Sequence, residues 1–180
     1  MIGRLLTALN LFLLTSILLV VLVVSSLYLW LNQDLPQLPQ NLQHINLSLP
    51  TEIYSSDGER IKILGERHPI ALEDISHFFT KAIIGVEDSR FYRHSGIDHR
   101  GLVRALWTNF RQKRIAQGGS TITQQLSKNL FFSFERNWVR KIKELLIAFQ
   151  LEATFNKEQI LEAYCNQIYF GSGAYGVEEA

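Results

Sequence analysis

One cysteine, one methionine and four prolines are all this chain of 180 residues contains of those types. A lone Cys165 excludes a disulfide within the chain, and its apolar, helix-like surroundings read as a packed core thiol rather than a nucleophile. The five histidines form no HExxH or paired spacing, so no metal site of a familiar kind is legible. No GxGxxG or Walker loop calls for a nucleotide, and no resident cofactor is evident. Internal repeats and low-complexity tracts are also missing. The last absence is the most informative: no charged residue occurs from Leu5 to Gln33.

That uncharged stretch, rich in Leu, Val and Ile, exceeds the roughly 20 residues a helix needs to cross a bilayer core. A helix there satisfies its own backbone polar groups, as lipid requires. It is too long for a cleaved signal peptide and no A-x-A site follows, so residues 1–31 read as a cytoplasmic start and a retained transmembrane anchor. Arg4 precedes the span and only Asp34 follows closely, which predicts a cytoplasmic N-terminus and an extracytoplasmic remainder. Tyr28 and Trp30 suit the far interface. Residues 32–50, with Pro36, Pro39 and Pro50 and few charges, read as a semi-extended linker.

The domain expected over 51–180 is mainly α with a small N-terminal β-hairpin, since Ile53, Ile61 and Ile63 flank Asp57–Gly58. Ile75, Phe78, Phe79, Ala82, Ile83 and Val86 then predict a helix with one apolar stripe, with Glu73 and Asp74 at its start. Asp98 is placed to cap a second helix, whose expected buried face is Leu102, Val103, Leu106, Trp107 and Phe110 and whose other face carries Arg100, Arg104 and Arg111. A basic loop over 111–119 leads to Gly118–Gly119. Thr121 and Gln124 have capping-box spacing before a helix with Ile122, Leu126 and Leu130 inside, and Asn156 and Gln159 repeat that spacing. Between them "WVRKIKELLIAFQLE" is the most apolar helix and the expected core.

Net charge is +1, but from Arg90 to Lys143 twelve Lys/Arg face only two acids, Asp98 and Glu135. Such a block suits an anion such as a phosphate. Within it and beside it lie the candidate acids. Glu87 and Asp88 end the first apolar helix, where the dipole disfavours carboxylates, so Arg90, Arg93 or His94 must hold them. They form either a salt-bridged turn or a general base for a hydroxyl. Glu144 shares a helix face with Arg140 and Lys141, which makes it either a surface ion pair or a buried acid. Ser120 and Thr121 at a helix start, with Gln124 and Lys128 one turn apart, make a plausible anion cradle or a plain cap. Two carboxylates in a cationic domain beside a membrane point to sugar or phosphate chemistry.

At these residues the chain resembles the peptidoglycan glycosyltransferases, the lysozyme-like domain of class A penicillin-binding proteins and monofunctional transglycosylases. Four motifs match in order: "EDSRFYRHSG", "GGSTITQQLSKNLF", "RKIKELLIAFQLE" and "ILEAYCNQIYFGSGAYGVEEA". Cys165 stands where the family usually has leucine. The resemblance covers residues 51–180, and the sequence stops inside the fourth motif, so a C-terminally truncated domain is expected.

The resemblance implies that Glu87 is the base that deprotonates the acceptor's sugar hydroxyl. That oxygen attacks the anomeric carbon of lipid II, with inversion and loss of undecaprenyl pyrophosphate. It implies that Glu144 serves the pyrophosphate region, with a divalent cation (Mg2+ or Mn2+) as an option. Lys128, Arg136 and Arg140 would contact pyrophosphate, Ser120 and Gln124 would bind substrate, and Asp88 and His94 would support Glu87. The implied partners are lipid II, the growing glycan strand and the inner membrane. Three other readings stay open: a membrane-anchored lysozyme-like hydrolase or lytic transglycosylase, a non-catalytic cell-wall scaffold, and a helix-turn-helix over "FRQKRIAQGGSTITQQLSKNL". The anchor argues against the last, because nucleic acid would lie on the wrong side.

Overall fold

A computed structural model of the chain describes residues 2–42, 51–64, 68–114, 117–132, 137–171 and 173–180. It divides into two compact units, Met1–Pro36 and Gln37–Ala180. The first is a single helix, α1 (Ile2–Gln33), with neither an acid in its first turn nor a base in its last. Its stretch Thr7–Gln33 has a mean hydropathy of 2.6 and is long and apolar enough to cross a membrane. The second part of the expected linker, residues 43–50, lies outside the described residues.

The second unit begins with a hairpin of β1 (Thr51–Tyr54) and β2 (Arg60–Leu64), paired antiparallel with a register shift at Ile53/Tyr54. Gly58 takes φ +86 in the turn, a conformation that costs a side-chain-bearing residue but not glycine. Its amide donates to Ser55 C=O at 3.1 Å, and Ser55 N donates to Glu59 C=O at 2.8 Å. Five helices follow: α2 (His77–Glu87), α3 (His99–Gln112), α4 (Ile122–Phe131), α5 (Trp138–Thr154) and α6 (Lys157–Gln167). A second small hairpin, β3 (Tyr169–Gly171) with β4 (Ala174–Tyr175), ends the described chain. The domain is thus mainly helical, as the periodicity predicts.

The core lies where α4 packs against α5 and α6. Ile122, Leu126, Ile147, Leu151 and Ile160 are sealed from solvent there. Burying each such side chain contributes roughly 1.5–3 kcal/mol. Caps set the helix starts: Asn137 Oδ1 accepts from Arg140 N at 2.6 Å. Asn156 and Gln159 form the full reciprocal capping box. Thr121 caps α4 through Gln124 N at 3.2 Å, but the box does not close, because Gln124 sends its side chain elsewhere.

Two expectations are corrected. Glu73 and Asp74 sit in a separate 3-10 turn, Leu72–Asp74, and α2 starts at His77 without an acid in its first turn. Its stripe is split, with Ile75 buried but Phe78 and Val86 over four-fifths exposed. On α3 the expected inner face is the outer one: Leu102, Val103, Leu106, Trp107 and Phe110 are all exposed, and only Ala105 is buried. The packed side is made of small residues instead. A Cβ on Gly119 would meet Leu102 Cδ1 at 3.0 Å and Ala105 Cβ at 3.7 Å. Close backbone approach selects small side chains, and periodicity of large apolar residues cannot reveal such a face.

Candidate active site

Glu87 is the last residue of α2, and Asp88 caps that helix with its amide donating to Ile84 C=O at 3.0 Å. The two adjacent acids diverge. Asp88 turns inward and is 6% exposed. His94 Nε2 donates to it at 2.9 Å and Ile122 N donates to Oδ2 at 3.1 Å. One carboxylate therefore ties the end of α2 to the start of α4 and satisfies an orphan first-turn amide. Glu87 stays exposed, and Gln125 Nε2 donates to its Oε2 at 2.8 Å.

Glu87 opens on a cleft of about 190 Å3, whose lining includes Asp98, Arg104, Gly119, Ser120 and Gln125. Asp98 holds the N-cap position of α3 and pairs with Arg90 Nε at 3.3 Å. Burial pushes its pKa up, but the Gly101 amide and the Arg90 charge pull it further down, so it is an anion at neutral pH. The glycine-rich floor is held by Asn109, whose side chain donates to Gln117 C=O at 3.0 Å and accepts from Gln117 N at 2.9 Å.

Glu144 does not line that cleft. It is 1% exposed on α5, paired with Arg140 and with Lys141 Nζ, the latter at 3.1 Å. The surface ion pair is thereby excluded, and both carboxylate oxygens are engaged. Ser127 Oγ donates to the Glu144 carbonyl at 3.1 Å and fixes α4 against it. Lys141 Nζ also donates to Ser120 Oγ at 3.1 Å, and Ser120 does line the cleft. Glu144 is thus linked to the cleft through Lys141 and Ser120, whereas Glu87 lines it directly. Burial first, then the charges of Arg140 and Lys128, hold the Lys141 pKa below that of an ordinary lysine.

The remaining predicted residues fall in three places. Lys128 is exposed in the last turn of α4. Gln124 is 3% exposed and donates its Nε2 to Gly96 C=O at 3.1 Å, alongside Thr121 Oγ1 at 2.7 Å. With that bond it braces the 94–98 turn from inside. Arg136 lies outside the described residues. Sequence reasoning missed Gln125 and gave Lys141 no substrate role. In "TITQQL" nothing distinguishes the two glutamines except helix phase, about 100° per residue, which decides which one faces α2.

Among the described residues a divalent cation finds no fitting donor set. Arg140 and Lys141 already occupy Glu144, and among the described residues no group of three His, Cys, Asp or Glu could hold a metal ion.

Comparison with known proteins agrees with the motif reading. Residues 57–180 match the family described as Transglycosylase. Penicillin-binding protein 1A of Pseudomonas aeruginosa is 42% identical over 163 residues, covering 89% of this chain and 20% of the relative. Penicillin-binding protein 1A of Escherichia coli (strain K12) is 43% identical over 173 residues, covering 94% and 20%, and that of Aquifex aeolicus 45% over 150 residues, covering 82% and 20%. The chain spans about a fifth of the length of these curated relatives. With a matched region beyond half its length and identities above two-fifths, this chain belongs to the transglycosylase family and carries a glycosyltransferase domain of the kind found in class A penicillin-binding proteins.

Proposed function

We propose that the chain is a single-pass inner-membrane peptidoglycan glycosyltransferase that polymerises lipid II, with its catalytic domain outside the cytoplasm. The observation that carries this reading is the exposed Glu87 carboxylate on a polar cleft whose lining also holds Ser120, itself bonded to the Lys141–Glu144–Arg140 cluster. Glu87 acts as general base on the acceptor's sugar hydroxyl. The oxygen attacks the donor's anomeric carbon from the face opposite the leaving group, which gives inversion, and undecaprenyl pyrophosphate departs. Positive charge from Lys128, Arg136, Arg140 and Lys141 balances the negative charge that builds on the pyrophosphate. Asp88 and His94 support Glu87 from behind by fixing the α2–α4 junction. No step is drawn through a metal.

The domain surface supports a substrate that stays in lipid. Leu106, Trp107 and Phe110 are 61%, 67% and 79% exposed on α3, with Arg104 and Arg111 on the same helix. An apolar face rimmed by cations suits an acidic bilayer interface. A lipid-linked donor leaves the bilayer only at a cost of about 0.8 kcal/mol per CH2, so meeting it at the interface is the economical arrangement.

The test is turnover of lipid II by the wild-type chain and by Glu87→Gln. Polymer from the first, and retained binding without polymer in the second, supports the reading. Release of fragments from finished glycan instead would identify the lytic alternative, turnover in neither protein would leave the scaffold, and full activity in Glu87→Gln would mean a different base.

A further inference from the structure

We propose that Gln125 and Tyr164 form a positioning relay that aims the Glu87 carboxylate, an inference that rests on Glu87 being the proton acceptor. Gln125 Nε2 donates to Glu87 Oε2 at 2.8 Å, and Tyr164 Oη donates to Gln125 Oε1 at 3.3 Å. Both ends of one carboxamide on α4 are therefore used, by residues from α2 and α6.

The order of the bonds matters more than their number. A carboxamide can present either its nitrogen or its oxygen to a neighbour. Its oxygen toward Glu87 would set two acceptors against each other. The Glu87 carboxylate, which only accepts, decides between the two by drawing Nε2 toward it, and that leaves Gln125 Oε1 to accept the Tyr164 proton. That proton stays in place: burial first, then the charge of Glu87 beyond the amide, push the Tyr164 pKa well above that of an ordinary phenol. Tyr164 is 1% exposed, so the anchor of the relay is set by the core and not by solvent.

At the other end, the relay takes one oxygen of Glu87 and leaves the other. Among the described residues Oε1 has no hydrogen-bond partner, and it is the oxygen that remains to receive a proton. An exposed glutamate on the last residue of a helix otherwise has three free torsions and an unfavourable dipole. One charge-assisted bond from a pinned amide removes much of that freedom before substrate arrives, which is how positioning lowers a barrier. The other charged groups around the cleft are Asp88 and Asp98 from the α2–α3 junction and Arg104 from α3.

The experiment measures kcat and KM for lipid II polymerisation by the intact chain in detergent. It compares wild type, Gln125→Met, Tyr164→Phe and the double variant, with Glu87→Gln as reference. Gln125→Met takes the donor away from the carboxylate and keeps the size of the side chain. Its kcat should fall about tenfold with KM within about twofold, because orientation and not binding is lost. Tyr164→Phe should lower kcat about threefold, and the double variant should match Gln125→Met, since members of one relay are not additive. Tyr164→Phe removes only a hydroxyl, which keeps the test decisive where Gln125→Met melts early. A kcat unchanged in both single variants, a rise in KM matching the loss, or losses that multiply in the double variant, overturns the relay while an inactive Glu87→Gln leaves the base intact. Turnover in Glu87→Gln overturns the base itself, and the relay with it.

Discussion

Lys141 Nζ lies 3.1 Å from Ser120 Oγ, and the ammonium has only protons to give, so the serine oxygen is the acceptor. The hydroxyl proton of Ser120 is then left for the cleft. The same lysine pairs with the buried Glu144 at 3.1 Å, which lets an acid that never touches the cleft control a donor that does.

That relationship makes the charge on Lys141 measurable. Its folded pKa lies below that of an ordinary lysine, which the unfolded chain has. Between the two values the unfolded chain binds more protons, so stability rises with pH across that window, and the penalty is fully present below it. Activity moves the opposite way: the alkaline limb of kcat/KM should fall earlier than an ordinary lysine predicts. Lys141→Arg should push that limb to higher pH, and Lys141→Met should raise the KM for donor about tenfold, equivalent to ~1.4 kcal/mol. A pH–rate series on the three proteins checks both.

Asp88 holds two groups from two elements, and its variants should separate charge from bonding. Asp88→Ala leaves the Ile122 amide and His94 Nε2 without their acceptor in a buried place. The expected loss is about 1–3 kcal/mol for each orphaned group. Asp88→Asn keeps an acceptor oxygen and should lose less. Urea denaturation at neutral pH measures the difference, and equal losses would argue that packing rather than hydrogen bonding matters here.

Gly96 is held at φ +86, with its carbonyl bonded to Thr121 and Gln124. A Cβ there would press on the backbone of Ala148 at 3.3 Å. Gly96→Ala should therefore destabilise by about 1–3 kcal/mol and lower activity, because the 94–98 turn carries both His94 and Asp98. Thermal melting gives the first number and initial rates the second.

Cys165 should be chemically silent. Burial first, then the nearby Glu162 charge, push its thiol up to about 12, and it is fully buried. The thiolate is the reactive form, so alkylation by iodoacetamide at pH 8 should be negligible in the native protein and complete in denaturant. Mass spectrometry distinguishes the two states, and rapid native labelling would mean that α6 opens locally.

Much of this was legible in the chain. The apolar span, the Asp57–Gly58 hairpin and the Asn156–Gln159 box depend on neighbours in sequence, and each formed as its local pattern predicts. The faces of α2 and α3 were not legible. Large apolar side chains at Val86, Trp107 and Phe110 have the spacing of a core face, yet the spacing does not say whether protein or another apolar medium covers it.

The same division holds at the site. From the residues alone came the two glutamates, the cationic block and the serine at a glycine-led helix start, because charge and residue type are carried by the chain itself. Which glutamate is open and which is sealed, which of two adjacent glutamines meets Glu87, and that Lys141 joins Ser120 to Glu144 were decided only by folding. Those facts depend on helix phase and on contacts between residues as far apart as Glu87 and Tyr164. Only the packing of α2, α4, α5 and α6 brings such distant residues within a hydrogen bond of a common partner.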